Sequence, residues 1–176
     1  MKKIGKFFTY VLFFIFALMV FIPKSSLYYL AEVNLKKFDI IISNESLSDS
    51  VFTLNIHNLD ISAKGIDSAH IASVDVTLCG VYNKIVVEKI KFSSIVEAYF
   101  PSKIEFLNID YSLLHPLSVK LNSHGEFGVI DAAFDLVNLK LEARVKPSKL
   151  MLRKYRRSLR YFKKSKNGEY LYAKSI

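Results

Sequence analysis

Val137-Asn138-Leu139-Lys140-Leu141-Glu142-Ala143-Arg144-Val145-Lys146 alternates apolar and polar side chains at every step. In an extended chain successive side chains point to opposite faces, so a period of two predicts a strand with one buried and one wet face. The same period recurs upstream, in Phe52, Leu54 and Ile56 against Thr53, Asn55 and His57, and in Val74, Val76 and Leu78 against Asp75, Thr77 and Cys79. Breaks fall at Asn44 to Ser50, Gly65, Gly80 to Asn83, Pro101, His115-Pro116 and Ser123-His124-Gly125. Strands at this spacing, some seven to ten of them, predict that residues 39–146 form one antiparallel β domain, either a curved open sheet or a sandwich. The helical inserts of a parallel α/β fold are missing from this stretch.

The N-terminal part reads differently. Phe7 to Ile22 is apolar except for Thr9 and Tyr10, and Lys2, Lys3 and Lys6 precede it. This layout predicts a basic cytoplasmic flank over residues 1–6 and a transmembrane anchor over 7–22, with the body on the far side of the membrane. A signal peptide shares the layout, but Ala17-Leu18-Met19-Val20-Phe21-Ile22-Pro23 lacks the small residues that cleavage needs. Residues 23–38 predict a short amphipathic helix beside the membrane, with Leu27, Ala31, Leu35 and Phe38 on one face and Glu32 and Lys36 turned away.

Charge is unevenly spread. Residues 146–176 carry eleven Lys or Arg and one acid, Glu169, whereas residues 1–145 carry fourteen basic and fifteen acidic side chains. The overall +9 therefore belongs to the C-terminal segment. Within residues 147–176, Lys149, Arg153, Arg156, Arg157, Arg160, Lys163 and Lys164 fall on one arc at helical spacing, opposite Met151, Leu152, Tyr155, Leu159 and Phe162. This predicts a basic amphipathic helix followed by a terminal segment in which Tyr170-Leu171-Tyr172 forms a last strand. The basic arc suits an anionic surface, because the arginine fork matches phosphate and carboxylate. A chain exported behind an anchor meets phospholipid headgroups and acidic proteins rather than nucleic acid.

No catalytic chemistry is legible. His57, His70, His115 and His124 lack metal-ligand spacing, and Cys79 is the one cysteine, so no disulfide can form within the chain. Hydrolase, metalloprotease and phosphate-loop motifs do not occur. Neither an enzyme nor a cofactor is expected.

Phe21-Ile-Pro-Lys24 followed by Ser25-Ser-Leu-Tyr-Tyr-Leu-Ala-Glu32, then Gly65-Ile66-Asp-Ser-Ala69-His-Ile71-Ala-Ser-Val74 and the closing Leu139-Lys-Leu-Glu-Ala-Arg-Val-Lys-Pro-Ser148, resembles protein N of bacterial type II secretion systems (GspN). More loosely, the chain resembles AsmA-like proteins with β-groove domains. The outline is also that of the LptC-like component of lipopolysaccharide transport. The first resemblance implies a bacterial inner-membrane protein with its N-terminus cytoplasmic and its body periplasmic, acting as a non-enzymatic accessory or scaffold among envelope secretion subunits. The others imply a component that binds phospholipid or lipopolysaccharide. No site residues carry over from any of them.

Overall fold

The computed structural model describes residues 2–21 and 23–175. Helix α1 (Lys2–Phe21) and helix α2 (Lys24–Lys36) precede the sheet strands β1 (Ile40–Ser43), β2 (Ser46–Asp49), β3 (Thr53–Ala63), β4 (Ile66–Leu78) and β5 (Tyr82–Phe92). A single helical turn, α3 (Ser94–Glu97), separates these from β6 (Lys103–Ser112), β7 (Ser118–Gly125), β8 (Gly128–Asp135) and β9 (Lys140–Pro147). The chain closes with α4 (Lys149–Lys154), a 3₁₀ helix (Arg156–Tyr161), β10 (Lys163–Lys164) and β11 (Tyr170–Ser175).

All strands belong to one antiparallel sheet of order β1-β3-β4-β5-β6-β7-β8-β9-β11-β10, with β2 also paired to β3. Its path ends at β1 and at β10 without joining, so of the two architectures expected, the open sheet is the one formed and the sandwich is not. From β3 to β9 it is a meander, each strand hydrogen-bonded to the next. Local chemistry makes the turns. Lys64 and Gly65 both have positive φ, 52° and 74°, the conformation a two-residue hairpin needs to match strand twist.

The anchor expected over residues 7–22 is overturned, and with it the single-pass inner-membrane placement with cytoplasmic N-terminus and periplasmic body. No helix among the described residues is long and apolar enough to cross a membrane. Helix α1 has 20 residues but begins at Lys2 and includes Lys3 and Lys6. Its apolar part, Phe7 to Phe21, rises about 22 Å against a hydrocarbon core of roughly 30 Å. Ile22, the last residue of the expected span, lies outside the described residues.

Helix α2 forms where expected but turns a different face inward. Lys24 is buried and Tyr28 packs on the sheet core, while Leu27 and Phe38 are exposed. Polar anchoring sets this rotation. Asp49 accepts hydrogen bonds from Ser25 Oγ at 2.8 Å and from the Ser25 amide at 3.3 Å, and Lys24 Nζ lies 3.5 Å from the same carboxylate. Glu32, half-buried, pairs with Lys36 at 2.7 Å. Burial, reinforced by the nearby Glu45 carboxylate, pushes the Tyr28 hydroxyl well above its usual range.

The Ser25 hydrogen bonds hold the Asp49 carboxyl below the ordinary carboxylate value. A depressed folded pKa stabilises at pH above the unfolded value, and that contribution is lost as pH falls through the folded one. The α2 amides are therefore expected to exchange more freely on going from about pH 5 to about pH 2, after correction for intrinsic rates. In Asp49→Asn the part of this change owed to α2 docking is expected to vanish. An unchanged acid response in that variant would remove Asp49 as the latch.

Three further boundaries differ from expectation. The break at Asn44 to Ser50 contains β2. Ser123 to Gly125 completes β7, and the turn falls at Glu126-Phe127. Val137 to Leu139, the start of the alternating stretch, is a turn rather than strand. There the Asp135 carboxylate accepts the amides of Val137 (2.8 Å) and Asn138 (2.9 Å), and Leu139 takes a φ of 47°. This local side-chain cap outcompetes the ladder.

The single basic helix expected over residues 149–164 is also corrected. It breaks at Tyr155 into α4, the 3₁₀ helix and the short β10. Tyr155 is buried, its hydroxyl donating to the Glu97 carbonyl at 3.0 Å, and Ser158 Oγ donates to the Tyr99 carbonyl at 2.9 Å. These two anchors to the β5–β6 loop tighten the second turn. The strand expected after residue 169 is β11.

Candidate functional site

The register aligns apolar side chains into rows that run across the sheet. One row passes from Leu54 through Val76, Ile85, Ile109, Leu121, Ala132 and Ala143 to Tyr172, each the Cα partner of the next. From β4 to β11 it crosses seven strands, about 29 Å at the usual strand spacing. Leu54 is buried, Val76 and Ile85 pack against its cluster, and Tyr172 lies 5.4 Å from the Phe162 ring, with Ile109, Leu121, Ala132 and Ala143 half-buried between them. A parallel row from Leu78 through Asn83, Tyr111, Val119, Phe134 and Leu141 is likewise half-buried, with Asn83 as its polar member.

The opposite end of this face is sealed. There Leu59, Ile71 and Ile90 are buried over β3 to β5, and Ile104 joins them to a second cluster made of Phe127, Val145, Met151, Tyr155, Leu159 and Tyr170. Phe92 meets Phe100 edge to face and Phe100 meets Phe127 at a tilt, with centroid spacings of 5.9 and 5.7 Å. Glycines make the room. Gly125 and Gly128 face each other across β7 and β8, and a Cβ on Gly125 would lie 3.1 Å from the Phe127 ring. The apolar face thus has one plugged end and one uncovered end.

The polar face carries a cavity of about 990 Å³ over β7, β8, β9 and β11. Lys120, Asn122, Asp131, Glu142, Arg144 and Lys163 line it, with Tyr161 at its rim. Its charges are largely internal: Asn122 donates to Asp131 at 2.7 Å, Lys140 pairs with Glu142 at 2.6 Å, and Arg144 lies 3.5 Å from Glu169. Beside it Tyr82 donates to Asp110 at 2.5 Å, which raises the tyrosine's pKa.

The basic residues named from the sequence are all exposed: Lys149 and Arg153 on α4, Arg156, Arg157 and Arg160 on the 3₁₀ helix, Lys163 and Lys164 on β10. Among the described residues no carboxylate forms a salt bridge with any of them. Only Lys163 reaches the polar cavity. Arg160 stacks over the Tyr161 ring at 4.6 Å. They therefore form a strip across three elements rather than one helical arc.

The histidines sit on the surface. His70 Nδ1 lies 2.6 Å from Asp60 and His124 Nδ1 lies 3.0 Å from Glu105. Hydrogen bonds from Asn44 and then His70 hold the Asp60 carboxyl below its ordinary value. Among the described residues no group of three or more His, Cys, Asp or Glu is placed to hold a metal. The plug residues Phe100 and Phe127 were not legible as a site. Their only sequence signal is the Gly125-Glu126-Phe127-Gly128 turn, which says nothing about where the ring goes.

These features define a class: an open antiparallel sheet with one face partly covered, one sealed end and an exposed basic strip. Comparison with protein-family models, curated proteins and solved structures finds no match.

Proposed function

We propose that this chain is a non-enzymatic binding module for an acylated, phosphate-bearing amphiphile such as phospholipid or lipopolysaccharide. Acyl chains lie on the uncovered apolar rows, and the strip from Lys149 to Lys164 meets the anionic headgroup. The observation that carries this reading is the half-buried stretch from Ile109 through Leu121 and Ala132 to Ala143, four strands or about 14 Å at the usual spacing. One acyl chain reaches about 15 Å, half the bilayer core, so a stretch of this length receives nearly all of it. Each methylene taken from water contributes about 0.8 kcal/mol, so eight contribute roughly 6 kcal/mol before ordering costs.

Native mass spectrometry of the full chain tests this. Amphiphile is expected to co-purify with the parent and to be lost from the variant carrying Ile109→Asp and Leu121→Asp, with the melting transition checked to show that the variant folds. Changing Arg153, Arg156, Arg157 and Arg160 to Gln is expected to spare neutral amphiphile and weaken retention of anionic amphiphile. Each basic residue near an anionic surface contributes about 1 kcal/mol.

A second reading, a scaffold for envelope secretion subunits, draws on the resemblance to protein N and on one observation. The outer edge of β1 and β2, and that of β11 from Tyr172 to Ser175, have no strand partner among the described residues. Such edges accept an added strand. An empty domain that captures a secretion subunit through these edges would favour this reading over the first.

A further inference from the structure

Three turns at the uncovered end carry exposed aliphatic side chains: Val81 between β4 and β5, Leu113, Leu114 and Leu117 between β6 and β7, and Val137 and Leu139 between β8 and β9. They come from separate hairpins, yet they are tied together. The Leu113 amide donates to the Val81 carbonyl at 2.9 Å and the Leu136 amide donates to the Leu117 carbonyl at 2.8 Å. Alternate turns of a meander are two strands apart, so the three lie side by side along one end of the sheet over about 20 Å. Leu114 is 85% exposed and Val137 63%. The Asp135 cap described above holds Val137 and Leu139 outward, so they cannot fold back onto the sheet.

We propose that this edge docks on a lipid surface, dipping its aliphatic tips among the acyl chains without crossing the bilayer. This rests on the amphiphile-binding reading, for which it supplies the mouth: the uncovered apolar rows run parallel to the edge, the outer one through Tyr111, Val119, Phe134 and Leu141 at the strand ends beside it, and the other end is plugged.

Composition argues for lipid over protein. Leu and Val are under-represented among the residues that dominate protein–protein binding, where Trp, Tyr and Arg prevail, and the large apolar side chains exposed in these turns are all Leu or Val, interspersed with His115, Pro116 and Asn138. Tyr82 and Lys140 stand at the strand ends behind the tips, Lys174 one row further in and Lys84 and Lys120 two rows in. This is the depth at which an amphipathic ring and ammonium groups meet headgroups. The acids among these rows are engaged, Asp110 by Tyr82, Asp135 by the turn and Glu142 by Lys140. Helix α1 reaches the body at this end too, because Lys24 and Ser25 bind Asp49 beside the β2–β3 turn.

The chain contains no tryptophan, so a single introduced one reports without background. In full-length protein, Leu114→Trp at the edge and Ile66→Trp at the opposite end are compared on phosphatidylcholine–phosphatidylglycerol vesicles containing brominated lipid. Quenching is expected for Leu114→Trp and not for Ile66→Trp. Equal quenching at both ends, or none at Leu114→Trp, overturns the docking. A protein that takes up no monomeric fatty acid in solution, yet shows quenching at Leu114→Trp alone, retains the docking edge and loses the carrier reading. Loss of uptake from vesicles by Leu114→Asp with Leu117→Asp, with monomer binding intact, supports both. Uptake from vesicles equal to the parent's in that variant overturns the edge as the mouth.

Discussion

Phe127→Ala is expected to destabilise the protein by about 3–5 kcal/mol, the range for deleting a buried aromatic ring. Phe127 is 1% exposed, the lowest value among the buried core residues, and sits at the centre of the cluster that joins α4 and the 3₁₀ helix to β9 and β11. Its ring meets Phe100 on the β5–β6 loop. Removing it leaves a cavity that does not readily collapse, because Ser148 holds the hairpin backbone around it through the Glu126 and Phe127 carbonyls. Denaturant melts measure the loss. Phe127→Leu, which refills most of the space, is expected to cost clearly less, and equal costs would mean that the ring is not the plug.

Gly128→Ala is expected to cost more than about 4 kcal/mol, a size seen only where a specific mechanism is broken. Its φ is 113°, and an added Cβ would collide with the Lys146 carbonyl oxygen while lying 2.7 Å from the Ser148 amide nitrogen and 3.0 Å from the Pro147 carbonyl carbon. All three are backbone atoms, so no side chain can swing aside. The collision parts β8 from β9 where Ser148 is most heavily used. Its amide donates to the Phe127 carbonyl at 2.8 Å, its hydroxyl donates to the Glu126 carbonyl, and that hydroxyl caps α4 by accepting the Met151 amide at 3.1 Å. Gly65→Ala is the control: φ is 74° but no atom stands within 4 Å, so only the left-handed cost of about 1–2 kcal/mol applies. Similar losses at the two glycines in thermal melts would contradict the collision.

Strand alternation was the readable part of this chain. Leu141, Ala143 and Val145 share the sheet's apolar face as their spacing requires, because a period of two is a property of the extended backbone itself. Leu139 shows the limit. It continues the pattern, yet the Asp135 carboxylate captures two amides and turns the chain before it. The tail shows another limit. Met151, Tyr155 and Leu159 do face inward at helical spacing, but Tyr155 and Ser158 bond to a loop nearly sixty residues away, and no local pattern encodes that tightening. On α2 the stripe Leu27, Ala31, Leu35 predicted the packing face, and the Ser25–Asp49 hydrogen bond rotated it. Lysines decided the case of α1, because they shorten its apolar run below a bilayer's thickness. Which part of the apolar face stays uncovered depends on where α2, the β5–β6 loop and α4 come to rest, and that information is spread along the whole chain.

The central claim is that amphiphile occupies the uncovered apolar rows, and neighbouring residues on opposite faces test it most directly. Leu121 lies on the apolar row and Asn122 on the polar face, one residue apart on β7. Tryptophan is introduced singly as Leu121→Trp or Asn122→Trp in the full chain, and a brominated fatty acid is added below the concentration at which it aggregates. The account predicts saturable quenching of Leu121→Trp and little change in Asn122→Trp. Equal responses on the two faces, or a silent Leu121→Trp in a folded protein, would contradict it.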